Sequence, residues 1–210
     1  MGFTRGLFNG GVASPWNINI GGPSVSYRVF WDMTADGLDT YDATDGSTTT
    51  TNALTYSADG AQFDAAGDYA RFTCTDSHSI NKAVWTIGFR YKKVGTPASW
   101  CFFLEHSYST KAIALVRYGA STTDFYIYIA NFPLLLTSTI TTFYDGNEHS
   151  LVLTYNDSTD TITLSIDGET PVPGSLGYSV PTLDSGYLSV GNDVALTTPC
   201  MGIMSDFYIL

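Results

Sequence analysis

The stretch "YDGNEHSLVLTYNDSTDTITLSIDGE", residues 144–169, alternates apolar and polar side chains with a period of two on both sides of a polar turn. Side chains on a β-strand point alternately to opposite faces, so this period predicts two strands that each bury one face. The turn at 156–160 joins them into an antiparallel hairpin. The predicted buried face holds Leu151, Leu153, Tyr155, Ile162, Leu164 and Ile166.

Short segments of the same kind fill most of the remaining chain, and no segment shows a convincing apolar period of 3.6 residues. The clearest is 84–91, where Trp85, Ile87, Phe89 and Tyr91 alternate with smaller or polar residues. The further candidate strands are 61–64, 69–73, 100–105, 111–118, 124–130, 187–191 and 203–209. Many short strands with turns rich in Gly, Asp and Thr predict an all-β fold, a sandwich of two antiparallel sheets. The polar run at 44–51 is interpreted as a loop or sheet edge.

The first 26 residues differ in composition from the rest. Glycines are interspersed with isolated large apolar residues, namely Phe3, Leu7, Phe8 and Trp16. Glycine is entropically costly to order, and exposed apolar side chains are a liability unless they dock on another surface. We therefore predict an extended N-terminal arm at 1–26, packed on its own domain or on a neighbouring chain, and one sandwich domain at 27–210.

Charge and hydropathy exclude several classes of partner. The chain has 9 Lys and Arg against 20 Asp and Glu, a formal charge of −11. This charge repels phosphate backbones, so we expect no nucleic-acid partner. No apolar run approaches the ~20 residues of a membrane span, so we expect no membrane insertion. The start also lacks the apolar segment of a signal peptide, so we expect synthesis in the cytoplasm.

The three cysteines, Cys74, Cys101 and Cys200, are odd in number and far apart in sequence. They lack the short spacing of a zinc site or a redox pair. We interpret them as buried thiols, with one disulfide as the alternative.

Four segments, in the right order, resemble the laminin G-like or concanavalin A-like lectin/glucanase jelly roll. They are "AQFDAAGDYARF" at 61–72, "VWTIGFRYKK" at 84–93, the hairpin at 144–169, and "YLSVGND" followed by "MGIMSDFYIL" within 187–210. The resemblance covers about residues 27–210 and implies a jelly-roll sandwich. Where the family has a Trp before its His and a second His after it, this chain has Glu148 and Ser150. No metal ligands are therefore carried over.

The sequence offers no support for catalysis. Glucanases of this architecture place two Glu and one Asp on a single strand, whereas Glu105, Glu148 and Glu169 each lack another Glu within five residues. The chain also lacks a G-x-S-x-G elbow and a glycine-rich phosphate loop. We predict that the protein is not an enzyme, and we assign no catalytic, cofactor-binding or metal-binding residue. His149 is interpreted as a strand-entry residue that hydrogen-bonds backbone or a turn carboxylate.

Two kinds of ligand stay open. Calcium would take oxygen ligands at Asp157 with Asp160, or at Asn192 with Asp193. The alternative is that these residues close turns. A carbohydrate site would use aromatic platforms and polar groups. The aromatic candidates are Trp100, Tyr108, Tyr118, Tyr126, Tyr128 and Tyr144. The alternative for each of them is packing within the sheets and across strands.

The first functional hypothesis is a non-enzymatic virion structural protein, such as a phage capsid decoration, fibre-head or spike protein. We expect such a protein to form homo-oligomers, to dock on other virion proteins through the arm, and to hold cell-surface glycans. The alternative is a soluble carbohydrate-binding lectin for which calcium is optional. The two hypotheses are compatible, because a particle protein can also bind sugars.

Overall fold

The computed structural model describes residues 29–31, 33, 49–52, 54–73, 84–96, 100–106, 113–118, 123–129, 132–138, 140–175, 186–193, 195 and 197–210. These residues form fifteen strands in two antiparallel sheets, which confirms the all-β sandwich. The predicted arm at 1–26 lies outside the described residues.

The first sheet has eight strands. Its members are β1 (Val29–Trp31), β3 (Thr55–Ser57), β4 (Gly60–Phe63), β6 (Val84–Lys93), β11 (Glu148–Asn156), β12 (Thr161–Ile166), β13 (Val172–Ser175) and β15 (Gly202–Ile209). Their order is β13-β12-β11-β6-β15-β4-β3, and β1 pairs with β15 away from this path.

The second sheet has seven strands. Its members are β2 (Thr49–Asn52), β5 (Tyr69–Thr73), β7 (Trp100–His106), β8 (Ala114–Tyr118), β9 (Asp124–Ile129), β10 (Phe132–Thr137) and β14 (Tyr187–Val190). Their order is β10-β9-β8-β7-β14-β5-β2. Strand β2 lies at the sheet edge, as the polar run at 44–51 predicted for this part of the chain.

The hairpin of β11 and β12 forms in the predicted register. Leu153 pairs with Leu164 across the hairpin, and on its other side with Ile87 of β6. All three side chains are buried, whereas the alternating Val152 and Thr163 are only partly buried. Asp160 closes the turn with a φ of 48°, a left-handed conformation that Asp tolerates better than most residues.

Aromatic rings from both sheets fill the space between them. Tyr91 of β6 and Phe125 of β9 both contact Phe143, with ring centroids 5.3 Å apart in each pair. Phe103 of β7 lies 5.0 Å from Tyr91 in an edge-on arrangement. These contacts join the two inner faces into one core, and such pairs add about 0.5–1.5 kcal/mol each beyond the area they bury.

Cys101 and Cys200 are buried free thiols, which confirms the thiol interpretation for these two residues. The Cys101 thiol donates to the Cys200 carbonyl oxygen at 3.0 Å, and the Tyr91 hydroxyl donates to the same oxygen at 2.7 Å. Burial raises the pKa of the Cys101 thiol to about 12. Cys74 lies outside the described residues.

Candidate functional site

The outer face of the seven-stranded sheet carries a second apolar cluster, separate from the main core. On β7, Cys101 and Phe103 point into the core, so the intervening Phe102 points to the opposite face. There Phe102 packs with Ala114 and Val116 of β8, and all three are buried.

Three partly buried aromatic residues lie on this cluster, and we call Trp100, Tyr126 and Tyr128 the aromatic patch. The ring centroids of Trp100 and Tyr126 are 5.7 Å apart in an edge-on arrangement, and those of Tyr126 and Tyr128 are 6.4 Å apart. Leu135, 48% exposed, pairs with Tyr126 from the neighbouring strand β10. Burial, together with the neighbouring Tyr126, raises the pKa of Tyr128, so its phenol stays protonated near neutral pH. The patch therefore combines apolar ring surface with hydroxyl groups.

A line of polar residues crosses the same face beside the patch. Across neighbouring strands, Tyr128 pairs with Ala114 and Ala114 pairs with Glu105. Glu105 in turn pairs with Ser189, and Ser189 pairs with Arg71. We call Glu105, Ser189 and Arg71 the polar row. Because paired residues of antiparallel strands share a face, the polar row and the patch face the same side.

The polar row is held in place by its surroundings. The Arg71 guanidinium lies between two rings, 4.5 Å from the centroid of Tyr69 and 4.3 Å from that of Tyr187. The Glu105 side chain is 2% exposed. The Ser189 side chain is fully buried, and its hydroxyl oxygen has no hydrogen-bond partner. At ~4.8 Å per strand, the distance from β5 to β9 is roughly 19 Å.

This arrangement suits a ligand with both apolar faces and hydroxyl groups. Binding sites for small ligands combine aromatic walls with a few fixed polar groups that set the orientation. Here the aromatic patch supplies the wall. Of the polar row, the partly buried Arg71 supplies a guanidinium donor, whereas Glu105 and Ser189 are buried and do not reach solvent.

The structure brings together half of the aromatic residues proposed from the sequence. Trp100, Tyr126 and Tyr128 share the patch, but Tyr144 lies on the other side of the sheet, where its ring contacts Tyr91 of the core. Tyr144 therefore packs against the core and is not part of the patch. Tyr108 and the side chain of Tyr118 lie outside the described part of the structure.

Sequence reasoning missed the polar row. Alternation within 69–73 and 187–191 does place Arg71 and Ser189 opposite the apolar residues of their strands. Two facts are absent from the sequence: β14 lies between β5 and β7, and a bulge after Phe102 turns Glu105 to the outer face.

His149 occupies the position that the sequence predicted, between turn carboxylates at the entry of β11. Its Nδ1 lies 2.6 Å from Asp167 Oδ2, and its Nε2 lies 3.2 Å from Asp145 Oδ1. Burial lowers the pKa of His149, but hydrogen bonds and charge from Asp167 and Asp145 outweigh it, and the pKa stands above its ordinary value. Backbone and side-chain hydrogen bonds from Asn147, then His149, lower the pKa of Asp145. We call His149, Asp145 and Asp167 the histidine clasp.

The two proposed calcium clusters close turns. Asn192 Oδ1 accepts hydrogen bonds from the backbone N–H groups of Asp193 and Thr198, and the Asp193 carboxylate accepts from Thr197. Asp157 Oδ1 accepts from the Tyr155 hydroxyl. Within the described ranges, no three His, Cys, Asp or Glu residues are placed to hold a metal ion.

No family model matches this chain, and no curated protein matches it. Solved structures share its fold. One is the Trypanosoma rangeli sialidase in complex with the inhibitor DANA, with a TM-score of 0.65 and 15% identity, covering 89% of this chain and 31% of that one. Another is the botulinum neurotoxin serotype D binding domain, with a TM-score of 0.63 and 11% identity, covering 88% of this chain and 47% of that one.

These comparisons place the chain in one structural class, the jelly-roll type of two-sheet antiparallel β-sandwich. The chain spans less than half the length of either neighbour. At such identities the likeness shows the fold alone. Over the described residues, no helix is long and apolar enough to cross a membrane.

Proposed function

We propose that this protein is a non-enzymatic attachment module that binds glycans on the outer face of its seven-stranded sheet. The aromatic patch, with the partly buried Arg71 on the same face, carries the proposal. The faces of pyranose rings present C–H groups that pack on aromatic rings, and their hydroxyls need donors and acceptors nearby.

The acidic groups of this face favour binding over hydrolysis. On the described strands of the sheet, the carboxylates on the outer face are Glu105 and Asp124. They lie two strands apart across the sheet. Glu105 is in the same row as Tyr128, so Asp124 is also offset from it by four residues along the strand, and the separation is roughly 17 Å by standard strand geometry. Glycoside hydrolysis uses two carboxyl groups about 5–10 Å apart, so this pair is too widely separated.

The structural neighbours support a role in recognition. The botulinum neurotoxin neighbour is by its name a binding domain. The same sandwich therefore occurs in a domain whose name gives it a binding role.

A printed glycan array, probed with the full chain and with Tyr126→Ala, tests the proposal. Loss of the central ring of the patch removes contacts to Trp100 and Tyr128 and to the sugar, so we expect affinity to fall about 10-fold or more. Tyr56→Ala, a partly buried tyrosine on β3 of the other sheet, is the matched control and should bind normally. An array that stays empty with the intact protein would refute the proposal.

The second part of the proposal is that the module belongs to a virion and docks through residues 1–26. The mixture of glycines and isolated Phe, Leu and Trp in that segment supports it. Light scattering of the full chain and of a chain beginning at Tyr27 tests this role. We expect an oligomer for the first and a folded monomer for the second. Two monomers would show that the arm does not drive self-assembly.

A further inference from the structure

Arg117 is an arginine inside the sandwich. It lies on β8, paired with Cys101 on one side and Phe125 on the other, and both of those side chains point into the main core. Its side chain is 1% exposed. The carbon of its guanidinium lies 3.4 Å from the ring centroid of Tyr144, so one flat face of the cation is covered by the phenol ring.

The hydrogen bonds of this guanidinium are incomplete. Its Nε and Nη1 atoms are buried and have no acceptor. No carboxylate of the described segments forms an ion pair with Arg117. A guanidinium stays protonated in a protein, so it cannot relieve this deficit by losing its charge. A buried cation without a counter-charge or acceptors is among the costliest arrangements in a protein core.

The neighbouring Tyr144 phenol interacts with the guanidinium, yet Nε and Nη1 stay without an acceptor. The Tyr144 hydroxyl donates to Cys101 Sγ at 3.2 Å, and the Cys101 thiol donates onward to the Cys200 carbonyl at 3.0 Å. A second cation, the ammonium of Lys93, lies 5.4 Å from the centroid of the same Tyr144 ring. Both cations therefore lie near the same phenol ring, in a chain whose net charge is −11.

We propose that Arg117 and Lys93, arranged around the Tyr144 ring, bind a small oxyanion at the inner side of the seven-stranded sheet. Sulfate and the carboxylate of a small organic acid share the required chemistry, namely negative charge and several acceptor oxygens. The close packing of Arg117 restricts the ligand to a small anion. The site is independent of the glycan-binding face, because Arg117 and the aromatic patch lie on opposite sides of the sheet.

Thermal unfolding of the wild type and of Arg117→Met, in sodium sulfate and in sodium acetate at constant ionic strength, tests the site. A ligand that binds only the folded state raises its melting temperature. At about 100 times the dissociation constant we expect the wild type to gain roughly 5–10 °C more than Arg117→Met. An effect of sulfate alone identifies an inorganic oxyanion, and an effect of acetate identifies an organic carboxylate. Equal gains for both proteins would reveal a general salt effect and overturn the proposal.

A direct measurement covers the case in which Arg117→Met does not fold. Crystals of the wild type grown in sodium selenate, a sulfate analogue with a strong anomalous signal, should show a selenium peak beside the Arg117 guanidinium. A structure with ordered Arg117 and Tyr144 side chains but no such peak overturns the inorganic site. The same crystals grown in bromoacetate test the carboxylate in the same way.

Discussion

Gly191 follows β14 at a point where the backbone and the core both require glycine. Its φ is +80°, in the left-handed region, and a Cβ atom built there would overlap the ring of Phe63, which is fully buried. Any side chain at this position therefore meets two separate penalties, one in the backbone and one in the core.

We expect Gly191→Ala to lower the free energy of unfolding by about 2–4 kcal/mol, since backbone strain and overpacking add. Gly168→Ala is the matched control, because its φ is +73° and nothing lies within 4 Å of the added Cβ. That variant should lose only the backbone contribution, about 1–2 kcal/mol. Urea denaturation of both variants measures the difference, and equal losses would contradict the steric argument.

The histidine clasp makes stability depend on pH. The pKa of His149 is raised in the folded state, so its contribution is fully present below the ordinary value near ~6.5 and is lost as pH rises through the folded pKa. The pKa of Asp145 is lowered, so its contribution is present above ~3.9 and is lost as pH falls. The clasp should therefore stabilise the fold most between about pH 4 and 6.5.

We expect His149→Gln to cost about 1–2 kcal/mol at pH 5.5, because the carboxylates of Asp145 and Asp167 lose a charged partner. The difference between wild type and variant should shrink as the pH rises above ~6.5. Unfolding curves at closely spaced pH values measure it. A difference that stays constant from pH 5 to 8 would show that the charge of His149 contributes nothing.

At the scale of the element, β11 is the strand on which the fold depends most clearly. It pairs with β12 on one side and β6 on the other, and its side chains alternate between buried and partly buried from Leu151 to Tyr155. Leu153 is 1% exposed in the middle of this strand.

Leu153→Ala should destabilise the protein by about 2–5 kcal/mol, because it opens a cavity between Ile87 and Leu164. Val152→Ala removes two methyl groups from the opposite, partly buried face and should cost less than ~1 kcal/mol. Chemical denaturation of both variants tests whether the side chains predicted to be buried are those that contribute most to the free energy of unfolding. A Val152→Ala loss as large as that of Leu153→Ala would mean that the outer face of β11 is covered.

The positions of the strands could be predicted from the sequence where alternation is strong. Which strands pair with each other in the sheets could not. The hairpin at 148–166 follows from local pattern alone, since a turn joins strands adjacent in sequence. The pairing of β14 with β5 and β7 joins residues more than eighty positions apart, and no local pattern specifies it. The aromatic patch and the polar row both depend on such pairings, which is why the sequence supplied three of their residues without their arrangement.

At the scale of the whole molecule, the two buried thiols lie where the sheets meet. Cys101 belongs to β7 of the seven-stranded sheet, and Cys200 lies two residues before β15 of the eight-stranded sheet. The bond between the Cys101 thiol and the Cys200 carbonyl therefore links the two sheets. Exposing either thiol requires the sandwich to open at this junction.

We expect both thiols to react only when the whole domain unfolds. Burial raises the pKa of Cys101 to about 12 and that of Cys200 well above its ordinary value, so the reactive thiolate is scarce in the native state. In a Cys74→Ser background, pulsed alkylation followed by mass spectrometry should add two labels together, at the denaturant midpoint given by circular dichroism. If Cys200 reacts at lower denaturant than Cys101, the segment before β15 opens by itself and the sandwich does not unfold as one unit.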